Sequence, residues 1–174
     1  MSAAPASIEA SPTGRRSPRF GEMIRSPHQL IALSLGLGLA PKAPGTVGTI
    51  GGYPLFWALG LLAWPVRIAA YVALVALGSW AAERTGADLG EHDHGAIVFD
   101  ETIALAMVLE FTPSTWAGWI AAFALFRLFD IWKPWPVRLA DERGHGGFFV
   151  ILDDLLAGVW AIACIAAARA LGWL

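Results

Sequence analysis

The run Gly146-Gly147-Phe148-Phe149-Val150-Ile151-Leu152-Asp153-Asp154-Leu155-Leu156-Ala157-Gly158 places two adjacent carboxylates between apolar residues. Burying a charge is costly unless it is paired or bound to a metal. Packing alone gives no reason for Asp153 and Asp154 to stand there. Beyond them the chain stays apolar from Leu155 to Leu174, the only clean stretch of the roughly 20 residues that a membrane-spanning helix needs. Arg169, near its end, can snorkel to the interface. The same pattern occurs upstream, where Asp100 and Glu101 interrupt Ile97-Val98-Phe99 and Ile103-Ala104-Leu105-Ala106. A third site, Asp130, closes the apolar run from Ala121 to Phe129. Together these acids read as one carboxylate cluster, built by helices that meet in an apolar environment.

Composition places that environment in a membrane. Hydrophobic residues make up 56% of the 174 and charged residues only 15%, against about 25% charged in ordinary soluble domains. Nine tryptophans strengthen the reading, because indole favours the membrane–water interface. A net charge of −2 gives no basic excess for nucleic acid. Cys164, the single cysteine, excludes an internal disulfide and is read as a small apolar residue. The other apolar runs are shorter: Leu30 to Ala40, Ile50 to Trp64, Val66 to Ala82, Ile97 to Phe111 and Trp116 to Phe129. Runs of that length suit core helices, re-entrant segments or tilted spans. The expected fold is all-α: a compact multi-helix membrane protein with short, broken and re-entrant helices. Residues 1–26, rich in Ser, Pro and Arg, read as a disordered leader, and 27–174 as one helical domain. Arginines before a short hydrophobic segment also resemble a secretory signal. The segment runs into a Gly/Pro-rich motif, however, so a cytoplasmic N-terminus is the preferred reading.

Three further stretches carry chemistry. In Pro41-Lys42-Ala43-Pro44-Gly45-Thr46-Val47-Gly48-Thr49 the prolines and glycines predict a break, with a helix from Ile50. Thr46 and Thr49 then either contact phosphate at a helix N-terminus or serve as ordinary caps. Tyr53 to Trp64 and Val66 to Ala82 meet at Pro65, as one broken helix or a hairpin. The segment from Glu83 to Gly95 reads as polar loop, and its pair His92 and His94, with the nearby acids, is either a metal site or solvated. In Arg127-Leu128-Phe129-Asp130-Ile131-Trp132-Lys133-Pro134-Trp135-Pro136, Arg127, Asp130 and Lys133 fall roughly on one helix face. A cation, an acid and a cation there suit an anionic group beside a metal; Arg grips phosphate bidentately and Lys acts as a point charge. Trp132 and Trp135 are expected at the headgroup level. Lys133, Arg138 and Arg143 make this loop basic, which favours the cytoplasmic side.

At these residues the chain resembles the phosphatidylglycerophosphatase A family of bacterial membrane phosphatases. The likeness rests on Ala43-Pro44-Gly45-Thr46-Val47-Gly48-Thr49, Asp93-His94-Gly95-Ala96-Ile97-Val98-Phe99-Asp100-Glu101, Phe126 to Pro136, and Gly146-Gly147 with Asp153-Asp154. It covers about Gly36 to Gly158. The resemblance implies a Mg²⁺-dependent hydrolase in the bacterial inner membrane, with its site facing the cytoplasm. Its substrate would be the phospholipid phosphatidylglycerophosphate and its products phosphatidylglycerol and phosphate. Oxygen ligands suit Mg²⁺, so Asp100, Asp153 and Asp154 are the expected principal ligands, with Glu101 or Asp130 completing the shell or orienting water. Arg127 and Lys133, with Thr46 and Thr49, would hold the phosphoryl group, and His94 is the candidate proton donor to the glycerol oxygen. A small ion- or proton-coupled transporter using the same intramembrane carboxylates is the alternative. The chain is short for a carrier and shows no obvious internal repeat.

Overall fold

The computed structural model describes residues 17–143 and 146–174. Its elements are α1 (Phe20–Met23), α2 (Pro27–Ala32), a 3₁₀ segment (Ser34–Leu39), α3 (Pro44–Ile50), α4 (Gly52–Gly60), α5 (Trp64–Leu89), α6 (Phe99–Glu110), α7 (Trp116–Trp132), α8 (Val137–Arg143) and α9 (Gly147–Ala170). The described residues contain no strand, and the all-α membrane architecture expected from the sequence is what the chain forms.

The sequence and the structure differ at several helix ends. α9 starts at Gly147, so the acidic pair lies inside it, and α5 is a second helix long and apolar enough to cross a membrane. The last turns of α5 take in Glu83 to Leu89, which read as loop. Pro65 breaks nothing: it sits in the first turn of α5, where a missing N–H costs no hydrogen bond. The break falls instead between Gly60 and Trp64. α3 begins at Pro44, six residues before the expected helix start, behind Ala43 in the left-handed region. Of the expected leader, residues 1–16 lie outside the described part. Phe20 to Met23 is helical, and Met23 packs into the core with 1% of its surface exposed.

Close pairs fix the direction of each helix. Gly147 donates its N–H to the Glu83 carboxylate, and an added Cβ at Gly78 would touch Ile151, so α5 and α9 are antiparallel. Tyr71 hydroxyl donates to the Ala106 carbonyl at 3.1 Å while Gly78 faces Phe99, so α5 and α6 are antiparallel too. α7 meets α9 through Lys133 with Asp153 and through Phe129 with Trp160, again antiparallel. α3 and α4 follow α6, with Gly48 against Val98 and Gly52 against Leu105. The chain therefore shuttles between two ends. One end gathers the start of α3, the C-termini of α5 and α7 and the N-termini of α6 and α9.

α9 is the central helix and touches α5, α6, α7 and α8. Its inner face, Ala157, Ala161 and Ile165, packs with Leu105, Val108, Leu109 and Phe126. At the far end Trp116 and Trp119 stack edge-on at 5.4 Å, and Trp57 joins Trp119 at 5.8 Å. Trp132 and Trp135 stand exposed at the other end. Indoles at both ends match the two interfaces of a bilayer.

Candidate active site

The site is built where four helix ends and the start of α3 converge. α6 supplies Asp100 and Glu101 in its first turn. That turn is pinned to α3 by Thr102, whose hydroxyl donates to the Gly48 carbonyl at 2.8 Å. α3 passes directly beneath Glu101. A Cβ added at Gly45 would strike the Glu101 carboxylate and come within 3.3 Å of the Arg127 guanidinium. Only glycine lets the backbone approach so closely.

Arg127 and Asp130, one turn apart on α7, complete this corner. Arg127 Nη1 donates to Glu101 Oε1 at 2.8 Å and to Asp130 Oδ2 at 2.6 Å. Lys133 ends α7 in the left-handed region, with φ 47. From there its ammonium reaches Asp153 Oδ2 at 2.8 Å and also pairs with Asp141. Burial alone would lower the Lys133 pKa; the bonds to Asp141 and Asp153 outweigh it and hold it above its ordinary value. Asp153 and Asp154 enter from the second turn of α9 and are 6% and 4% exposed.

These groups line one cavity of about 360 Å³. Its walls carry six carboxylates, from Asp93, Asp100, Glu101, Asp130, Asp153 and Asp154, against two cations, Arg127 and Lys133. Three buried carboxylate oxygens have no hydrogen-bond donor: Glu101 Oε2, Asp153 Oδ1 and Asp154 Oδ2. α6, at 12 residues, is too short to span a bilayer. Burial, and then the charge of Glu101, pushes the Asp100 pKa well up. Burial likewise raises Glu101 to about 7 despite the pull of Arg127. Among the described residues, no three His, Cys, Asp or Glu side chains are drawn together tightly enough to hold a metal ion as they stand. Protein cations occupy part of the set: Arg127 holds one oxygen each of Glu101 and Asp130, and Lys133 one of Asp153.

The structure thus brings seven expected site residues to one cavity: Asp100, Glu101, Asp130, Asp153, Asp154, Arg127 and Lys133. Thr49 lies behind it, fully buried. Its hydroxyl donates to the Gly45 carbonyl at 2.8 Å and stands 3.5 Å from Arg127. Thr46, on α3, and His94, between α5 and α6, lie outside the lining. His94 Nδ1 accepts the Ala96 N–H at 3.1 Å, and His92 Nε2 accepts the Gly146 N–H. Both histidines therefore anchor backbone turns. Two acids were missed: Asp93 on the wall, and Asp141, the second partner of Lys133. The position of Asp93 beside His94 and ahead of Asp100 was the available signal.

Residues 30–169 match the sequence model of the family Phosphatidylglycerophosphatase A. The chain is 38% identical over 135 residues to Phosphatidylglycerophosphatase A of Escherichia coli, covering 77% of this chain and 78% of that one. It is 41% identical over 142 residues to the protein of the same name from Haemophilus influenzae, covering 80% and 87%. A Bacteroides thetaiotaomicron relative, 40% identical over 148 residues and covering 80% and 92%, is named provisionally as a phosphatidylinositol-3-phosphatase. No solved structure matches the chain.

Proposed function

The chain belongs to the phosphatidylglycerophosphatase A family and is a phosphatase, and we propose that it hydrolyses phosphatidylglycerophosphate to phosphatidylglycerol and phosphate, with Mg²⁺ held by the carboxylate pocket. The observation that carries the reading is the charge of the cavity. Six carboxylates face two cations there, and three buried oxygens lack a donor. A phosphate monoester is itself an anion, and buried like charges repel strongly. It needs a further cation to enter. The donors are all oxygens, which fits Mg²⁺ and not zinc. Asp100, Asp153 and Asp154 would hold the ion, with Asp130 and Glu101 beside them. When bound, such an ion neutralises phosphate oxygens and acidifies a bound water.

The remaining work falls to the chain's own groups. Arg127 presents a planar fork and Lys133 a point charge to the transferring phosphoryl group, whose charge must be compensated in the transition state. Both are already aimed into the cavity by their carboxylate partners. The leaving glycerol oxygen needs a proton. His94 would have to swing its loop inward to supply it, whereas Glu101 is on the wall and titrates near neutrality. We assign the proton to Glu101. Gly45 lets the start of α3 close against the Arg127–Glu101 pair, which fixes that pair on the cavity wall.

Charge at the two ends supports a cytoplasmic site. Arg19, Arg25, Lys42, Arg84 and Arg138 lie toward the site end, while Arg67 and Arg169 lie toward the other. Positive residues favour the cytoplasmic face, and an inner membrane accords with the substrate. The test is phosphate release by the purified protein from phosphatidylglycerophosphate, phosphatidate and phosphatidylinositol 3-phosphate, with Mg²⁺ and with a chelator. Metal-dependent release, fastest from the first lipid, is expected. Faster release from the inositol lipid would move the substrate assignment to it, and release that a chelator leaves unchanged would remove the metal.

A further inference from the structure

Beyond the cavity, a second depression of about 450 Å³ is lined by Trp132, Lys133, Trp135, Arg138, Leu139 and Glu142. It shares one wall with the active site, because Lys133 lines both. Trp132 is 69% and Trp135 76% exposed, and Ile131 and Leu128 extend the apolar surface along α7. Arg138 stands in the open, bonded by Nε to Glu142 Oε1 at 2.7 Å one turn on. An exposed ion pair of this kind contributes little and exchanges easily for a better anion. The surface therefore combines indole faces, an aliphatic side chain and one weakly engaged guanidinium, immediately outside the phosphate site.

We infer that this groove binds the part of the lipid substrate next to its terminal phosphate, with Arg138 holding the phosphodiester and the two tryptophans seating the glyceryl and upper acyl region. The inference rests on the proposed reaction. A lipid whose terminal phosphate lies between Arg127 and Lys133 must carry a glycerol and then a phosphodiester outward past Lys133. Of the depressions described, the groove is the one lined by Lys133 together with a second cation, Arg138. A guanidinium pairs with a phosphate oxygen pair through two N–H donors, and indole seats the amphipathic zone between headgroup and chain. In this arrangement the diester sets specificity: phosphatidate, whose only phosphate is the one cleaved, leaves Arg138 without its anion.

The experiment uses the full chain in detergent micelles with Mg²⁺, following phosphate release from phosphatidylglycerophosphate. Two competitors separate the two pockets. Phosphatidylglycerol carries the diester and no monoester; inorganic phosphate resembles the monoester alone. Arg138→Gln should weaken inhibition by phosphatidylglycerol and raise KM about tenfold, the worth of one charge-assisted contact. Inhibition by inorganic phosphate and kcat should stay unchanged. Arg84→Gln, which removes an exposed charge from the same end, should change neither. The inference is overturned if Arg138→Gln weakens both competitors equally, if it has no effect, if Arg84→Gln does the same, or if phosphatidylglycerol fails to inhibit the wild type. A wild type that releases no phosphate from this lipid fails earlier, and removes the proposed reaction with it.

Discussion

At the scale of single residues, the site was legible wherever a charge had no bland explanation. Asp153, Asp154, Asp100 and Asp130 interrupt apolar runs, and all four meet in the cavity. The histidines were not legible, because whether an imidazole binds metal or accepts a backbone N–H depends on the turn around it. Here one ring nitrogen of each, His92 Nε2 and His94 Nδ1, accepts a backbone N–H. Arg127 holds two carboxylates through the single nitrogen Nη1, and the phosphoryl group would take another side of its fork. Arg127→Lys keeps the charge and loses the fork. Phosphate release should fall about 100-fold, as for loss of a transition-state contact, while the circular dichroism spectrum stays native. Acidity gives a second test. The folded pKa of Glu101 is raised from 4.5 to about 7. Its contribution to stability is full below about 4.5 and is lost as pH rises through about 7. Without divalent metal, thermal stability should therefore fall as pH rises across that window, and Mg²⁺, held by the ionised Asp100, Asp153 and Asp154, should raise it. Calorimetric scans with and without Mg²⁺ read this directly. A metal-free stability that climbs steadily over the same window would contradict the burial of the pair.

At the scale of elements, apolar runs located the helices but not their ends. Glu83 to Leu89 looked like loop because its charges outnumber its apolar residues. Yet Thr85, Gly86 and Leu89 face inward and extend α5 to meet α2 and α9. Similarly, α9 starts before its apolar run because Glu83 and His92 accept the N–H groups of Gly147 and Gly146. These partners are 64 and 54 residues away in sequence, and no local pattern announces them. The junction is tight: a Cβ at Gly147 would overlap the Ser79 carbonyl and stand 2.6 Å from the Glu83 nitrogen. Gly147→Ala should therefore cost about 1–3 kcal/mol of stability by overpacking. It should also shift Asp153 and Asp154, lowering activity. Denaturation in mild detergent and turnover together measure both effects. Unchanged stability would mean that α5 and α9 do not meet backbone to backbone.

At the scale of the whole molecule, five legs join two ends: α3 with α4, then α5, α6, α7 and α9. The candidate cavity lies at one end, and the proposed orientation, argued from the charge asymmetry, turns that end to the cytoplasm. A cysteine scan in intact cells tests the orientation, on a Cys164→Ser background. Ser114→Cys, in the far-end turn, should react with a membrane-impermeant thiol reagent from outside, and Lys42→Cys only after lysis. The reverse pattern would invert the protein. We propose that a carboxylate pocket holding Mg²⁺ performs the hydrolysis. The most direct test is the Mg²⁺ dependence of phosphate release from phosphatidylglycerophosphate by wild type and Asp154→Asn, each shown to be folded. Saturable Mg²⁺ activation is expected in the wild type, abolished or shifted to far higher Mg²⁺ in the variant. Equal turnover and an equal Mg²⁺ midpoint in both would contradict it.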